Sequence, residues 1–249
     1  MKSLKKEWKV LLVAMVFVFG FIMIGAISAP SVGAWGCHSQ ILPMQKEYYG
    51  KTYSELAVKW WQWALGTPAS INPLFDATGE FCDAGQKGPV WFLASTLGYS
   101  DESNPVERTC AMPYGRALFF PIINSVYLMG VGETEAEQRS KIDCRIPKEL
   151  FAEIDGVPVK NLYQYYEHSP TFDIQLPDDP IFGPDYASLL LTPNVDAGYY
   201  LLVWPLSPGM HKVHWKATWE CPFDSSGVAN PTIYNEYITY NLNVKKKCH

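Results

Sequence analysis

KTYSELAVKWWQWALGTP, residues 51–68, is the stretch on which the reading of the fold depends. Thr52 and Glu55 fit the capping box Thr-x-x-Glu that opens a helix, and Gly66, just ahead of Pro68, closes it. With about 100° between successive residues, Tyr53, Ala57, Trp60 and Ala64 share the centre of an apolar face. Glu55, Lys59 and Gln62 lie opposite. Trp61 and Trp63 fall on the two flanks of the apolar arc. Trp60 is therefore assigned to the core. The flanking rings either cover the edge of a sheet or form a platform for a sugar ring or another planar ligand. Trp61 and Trp63 are the candidates for the second role.

Downstream, NPLFDATGEFCDAGQKGP (72–89) has no apolar period and is rich in Asn, Pro, Asp and Gly, so it reads as a loop. It brings Asp76, Glu80 and Asp83 close together. Carboxylates clustered in one loop could supply oxygens to Ca²⁺, although the spacing is not that of an EF-hand. Turn capping by the Asp side chains is the alternative. VWFLAST (90–96) and ALFFPIIN (117–124) are short unbroken apolar runs, the pattern of strands buried on both faces. Pro121 inside the second run implies an edge position or a bulge. Residues 98–109 read as a polar loop and Glu133–Arg139 as a short exposed helix.

Beyond residue 150 the period becomes that of strands. Asp155-Gly156 between two apolar segments is the signal of a type I′ hairpin. Phe172, Ile174 and Leu176 alternate onto one face, Gly198–Trp204 forms a further apolar strand, and Ser207-Pro208-Gly209 turns it back. In HKVHWKATW (211–219), Val213, Trp215, Ala217 and Trp219 face one way and Lys212, His214, Lys216 and Thr218 the other. Ile238, Tyr240, Leu242 and Val244 give the last strand its buried side. Residues 35–249 thus read as a single, mainly β domain. The expected architecture is an antiparallel β-sandwich with one N-terminal amphipathic, Trp-rich helix packed on it, a β-rich α+β fold being the alternative.

The chain opens with Lys2, Lys5, Lys6 and Lys9, followed by 19 uncharged apolar residues, Val10–Ser28, and by small residues at Val32-Gly33-Ala34. This is a signal peptide cleaved after Ala34, or an uncleaved N-terminal anchor, since roughly 20 apolar residues span a bilayer. Either places the remainder outside the cytoplasm: secreted, periplasmic or anchored at the cell surface. A lipoprotein is disfavoured because Trp35 stands where a lipobox needs a small residue. Without residues 1–34 the chain keeps 16 Lys and Arg against 24 Asp and Glu, a net charge of −8. That argues against nucleic acid and against anionic membrane surfaces as partners. Any membrane association would run through the N-terminal segment.

All six cysteines follow that segment, and an even count in an exported chain favours disulfides. The 15 possible pairings are not decided by spacing. Cys82–Cys110 is favoured because the intervening residues have room for a strand and a return; Cys144–Cys221 and Cys37–Cys248 follow by elimination. No GxSxG is present, and Ser100, Ser169 and Ser207 sit in turns, so a serine hydrolase is disfavoured. His211 and His214, three apart on a strand, point to opposite faces and cannot share a metal. His38 and His249 could join Cys37 and Cys248 in a terminal metal site, with a disulfide as the competing reading. Asp178, Asp179 and Asp185 make a second acidic loop.

WWQWA, NPLFDATGEFCDAGQKGPVWFLA, RTCAMPYGRALFFPIIN and GYYLLVWPLSPGMHKVHWKA, in that order, resemble a family of exported prokaryotic proteins of unassigned function. The likeness covers roughly residues 53–244. It implies that Cys82 and Cys110 recur as a pair and that the C-terminal half closes a sandwich. The chain departs from it in Cys37, Cys144, Cys221 and Cys248 and in the long apolar N-terminus. The functional expectation is a non-catalytic extracytoplasmic domain that binds a carbohydrate, an envelope component or a partner protein, with no cofactor beyond a possible Ca²⁺. Trp61, Trp63, Asp76, Glu80 and Asp83 are the candidate site. The alternatives are a metal-assisted hydrolase using the acidic loops and an accessory subunit of a membrane-associated complex.

Overall fold

The computed structural model describes residues 41–96, 100–142, 146–223 and 229–246, all within the compact unit Cys37–His249. Helix α1, Tyr53–Gly66, begins at the predicted capping box: the Thr52 side chain accepts from the Glu55 amide and the Glu55 carboxylate accepts from the Thr52 amide. Among the described residues the strands are β1 (Val90–Phe92), β2 (Val106–Pro113), β3 (Ala117–Tyr127), β4 (Ile146–Ile154), β5 (Val157–Pro158), β6 (Tyr166–His168), β7 (Phe172–Gln175), β8 (Leu190–Val203), β9 (Gly209–Phe223) and β10 (Ala229–Lys245). A second helix, α2 (Glu135–Ser140), repeats the capping box with Thr134 and Glu137.

The strands form two five-stranded sheets. One runs β1-β3-β8-β6, with β7 also pairing β8; the other runs β2-β10-β9-β4-β5. The expected β-sandwich with a packed helix is the observed architecture, and α1 adds a third layer. Adjacent residues of β3 mark those layers. Phe119 meets Tyr53 of α1, with ring centroids 5.9 Å apart, whereas Phe120 meets Trp215 of β9 at 4.8 Å, inside the sandwich. Both faces of β3 are covered, which is why its sequence does not alternate. The second sheet is open on its outer side, and β2 alternates accordingly.

Each sheet departs from a purely antiparallel pattern in one place. β1 pairs β3 in parallel, and β2 pairs β10 in parallel. These are consecutive strands placed at the edges of different sheets, so no hairpin joins either to its neighbour. Pro121 lies in an interior strand and is accommodated by a register shift against β8 between Pro121 and Ile123, the bulge anticipated from the sequence. Strand β2 begins at Val106, inside a region expected to be loop up to residue 109, and runs on to Pro113. Its inward set, Arg108, Cys110 and Met112, is interrupted by polar neighbours and includes a buried charge, so the apolar signal is weak. The Asp155-Gly156 turn is as read, with both residues at positive φ (53° and 74°).

The edge at β1 and β2 is clamped. Cys82 and Cys110 form the expected disulfide. Arg108, 1% exposed, donates from Nε to the Asp76 carbonyl at 2.6 Å. It donates further to the Ala94 carbonyl at 2.6 Å, to the Ser95 carbonyl at 3.2 Å and to the Tyr240 hydroxyl at 2.8 Å. A guanidinium is suited to this, because its five donors are fixed in one plane. Cys221 is disulfide-bonded; Cys37, Cys144 and Cys248, and hence the two remaining expected pairings, lie outside the described residues, as do His38 and His249. Among the described residues no helix is long and apolar enough to cross a membrane.

Candidate functional site

One flank of α1, the turn before it and the segment leading into β1 enclose a groove of about 740 Å³. The turn is built by Tyr49 and Gly50, at φ 51° and 68°, with the Tyr48 amide and carbonyl paired to Lys51. This left-handed pair throws the Tyr49 ring outward, leaving it 73% exposed. Lys59, Gln62, Trp63 and Gly66 are spaced three and four apart on α1 and so share a flank; all four line the groove. The opposite wall is Gly85, Lys87, Gly88, Pro89 and, from β1, Phe92. Gly85 is required there: it sits at φ +66°, and a Cβ would stand 3.2 Å from Cδ1 of Trp63.

Trp63 joins the two walls. Its indole Nε1 donates to the Ala84 carbonyl at 2.8 Å, and its ring lies 5.5 Å from that of Phe92. Lys51, Lys59 and Lys87 stand around the lining, which contains no Asp or Glu. Among the described residues these three lysines make no ion pair within 4 Å, and Lys59 donates to Gln62 Oε1 at 2.9 Å. The groove is thus a local patch of positive charge on a net acidic chain. Its β1 side is an edge whose backbone is already occupied: Gln86 accepts from the Phe92 amide at 3.0 Å and donates to the Phe92 carbonyl at 2.8 Å.

The other sequence candidates are placed differently. Trp61 is 5% exposed and does not line the groove. Its Nε1 donates to Asp196 Oδ1 at 2.5 Å, so the paired flanking platform is not present. Both flanks of α1 are covered, one by β8 and one by the Ala84 loop, which helical phase alone does not reveal. Asp76 is a turn cap: Oδ1 accepts from the Thr78 amide at 2.8 Å and the Gly79 amide at 2.9 Å, and Oδ2 from the Phe81 amide at 2.8 Å. Burial opposes its charge, but these amides hold the carboxyl below its ordinary value. Glu80 and Asp83 are exposed. In the second acidic loop, Asp179 Oδ2 accepts from the Ser70 amide at 3.0 Å, and Asp178 accepts from Ser188. Among the described residues no three His, Cys, Asp or Glu side chains converge on a possible metal position.

Two constellations appear only in the folded chain. Asp196, fully buried, accepts from Trp61 and from the Tyr200 hydroxyl at 2.7 Å through Oδ1, while Oδ2 has no hydrogen-bond partner among the described residues. Burial, opposed by these two hydrogen bonds, pushes its carboxyl up to about 7. Asp155, His211 and Ser207 also meet. His211 Nδ1 is 2.7 Å from Asp155 Oδ2 and Nε2 is 3.3 Å from Ser207 Oγ, the connectivity of a catalytic triad. Nε2 is also 2.9 Å from the Ser207 carbonyl oxygen. A carbonyl only accepts, so Nε2 carries a proton and cannot act as a base toward the hydroxyl. With the Lys212 amide donating to Asp155 Oδ1 at 2.8 Å, the trio ties the β4–β5 hairpin to β9. Neither group is adjacent in sequence; strand pairing alone assembles them.

Comparison with models of known protein families finds no match to this chain, and comparison with curated protein sequences finds none either.

Proposed function

We propose that this chain is an exported, extracytoplasmic, non-catalytic binding domain whose groove beside α1 takes a carbohydrate or another extended envelope component. The observation that carries the reading is the groove itself. Its volume of about 740 Å³ falls in the range of ligand sites, about 300–1,000 Å³. It combines the exposed ring of Tyr49 and the half-buried ring of Phe92, above the buried Tyr48 and Trp63, with exposed backbone at Gly85 and Gly88. Ring surfaces of that kind meet the apolar faces of sugars, and backbone groups can serve their hydroxyls. Export rests on the lysines and the apolar run Val10–Ser28, and the resemblance to exported prokaryotic proteins supports the same placement.

The test is binding of a glycan panel by the full chain and by Tyr49→Ala. Tyr49 is exposed and its removal leaves the core intact, so a fall in affinity of about tenfold at unchanged thermal stability supports the reading. Equal binding by both proteins refutes it.

A further inference from the structure

Resting on that reading, we infer that the groove selects anionic glycans, in which carboxylates repeat along a sugar backbone. Three lysines and no carboxylate line it, Glu55 lying outside the lining near Lys51, whereas the mature chain as a whole carries more acid than base. Neutral sugars are commonly held by side chains that both donate and accept; here the Gln62 carboxamide already accepts from Lys59 and the Thr67 hydroxyl already donates to the Trp63 carbonyl, which leaves the Tyr49 hydroxyl as the exposed group of that kind in the lining. What the groove offers instead is ammonium groups beside apolar walls, where a charge is less well screened than on open surface. Lysine is also the cation suited to a repeating polymer. Its ammonium is a point charge on a flexible stem with three donors, tolerant of varied anion orientation, unlike the planar fork of arginine.

An acidic peptide would carry the same charge, but the geometry disfavours it. A peptide commonly docks by adding a strand to a free sheet edge, and at Phe92 both backbone groups of the β1 edge are taken by Gln86. A flat anionic bilayer does not fit a groove walled on one side by a helix and on the other by a loop.

The experiment is calorimetric titration of the full chain with four probes: oligogalacturonate, its methyl ester and oligoglutamate of matched charge in a mild neutral detergent, and phosphatidylserine vesicles after the detergent has been removed. Oligogalacturonate is expected to bind at least about tenfold tighter than the ester, with the difference collapsing as ionic strength rises to about 0.5 M. The variant K51Q/K59Q/K87Q is expected to lose that preference at unchanged thermal stability, and Lys212→Gln, on the other sheet, to keep it. Equal binding of acid and ester overturns the inference while leaving the groove as a glycan site. Oligoglutamate or vesicles binding as tightly as oligogalacturonate overturns it in favour of a peptide or a membrane. No binding of any probe refutes the groove reading as well.

Discussion

The indole of Trp61 donates to the carboxyl of Asp196 at 2.5 Å across 135 residues of sequence. The bond pins α1 to β8 and turns an apolar helix packing into one with a fixed rotation. It also places a carboxyl out of water with one oxygen unpartnered among the described residues, and this has a measurable consequence.

An acid whose proton affinity is raised by folding is stabilising when neutral. The contribution of Asp196 is therefore full below its unfolded value, about 4, and is lost as pH rises through about 7. Glu236, which burial pushes up to about 8 against the pull of Arg108, adds a loss of the same sign. Between pH 5 and 8 stability should fall with rising pH, by about 2–3 kcal/mol from Asp196 alone. Urea unfolding across that range should show a shallower slope for Asp196→Asn. An identical slope would show that Asp196 is not buried as described.

Arg108 should be the most sensitive single position at the sandwich edge. Arg108→Met removes the donor from the carbonyls of Asp76 and Ser95, leaves that of Ala94 with the Tyr240 hydroxyl at 3.1 Å, and should cost about 3–5 kcal/mol in denaturant unfolding. Arg108→Lys should recover little, since one ammonium cannot serve acceptors spread over a guanidinium plane.

The layered fold was largely legible in the sequence, and the site only in part. Thr52 and Glu55 marked the start of α1, Pro121 marked a bulge, and Asp155-Gly156 marked a hairpin, because each signal is local. Strand β2 was missed because its inward positions include Arg108, whose burial depends on partners 13 to 132 residues away along the chain. Trp63 was singled out and lines the groove. Trp61 was singled out and does not, because helical phase gives the flank a side chain occupies and not what covers it. Lys51, Lys59 and Lys87 carried no signal, since their convergence depends on the turn at Tyr49-Gly50 and on the path of the loop into β1.

Removing the Cys82–Cys110 bridge by double Cys→Ser substitution opens a loop with a sequence separation of 28. The chain-entropy relation gives a loss of about 3.5 kcal/mol, readable as a lowered denaturant midpoint.

Gly79 sits at φ +92°, and a Cβ there would stand 2.4 Å from the Thr109 carbonyl oxygen. Gly79→Ala should therefore cost on the order of 2–3 kcal/mol, while Gly88→Ala, where the space is open, should cost less. Paired thermal melts of the two variants check the difference.

The groove is tested most directly by following indole and backbone amide NMR signals of the ¹⁵N-labelled chain as an acidic oligosaccharide is added. The account predicts shifts at the Trp63 indole and at the Gly85 and Gly88 amides, with the Trp61 indole, bonded to Asp196, unmoved. Shifts confined to the outer face of the second sheet around Lys212–Thr218, or movement of Trp61 without Trp63, would contradict it.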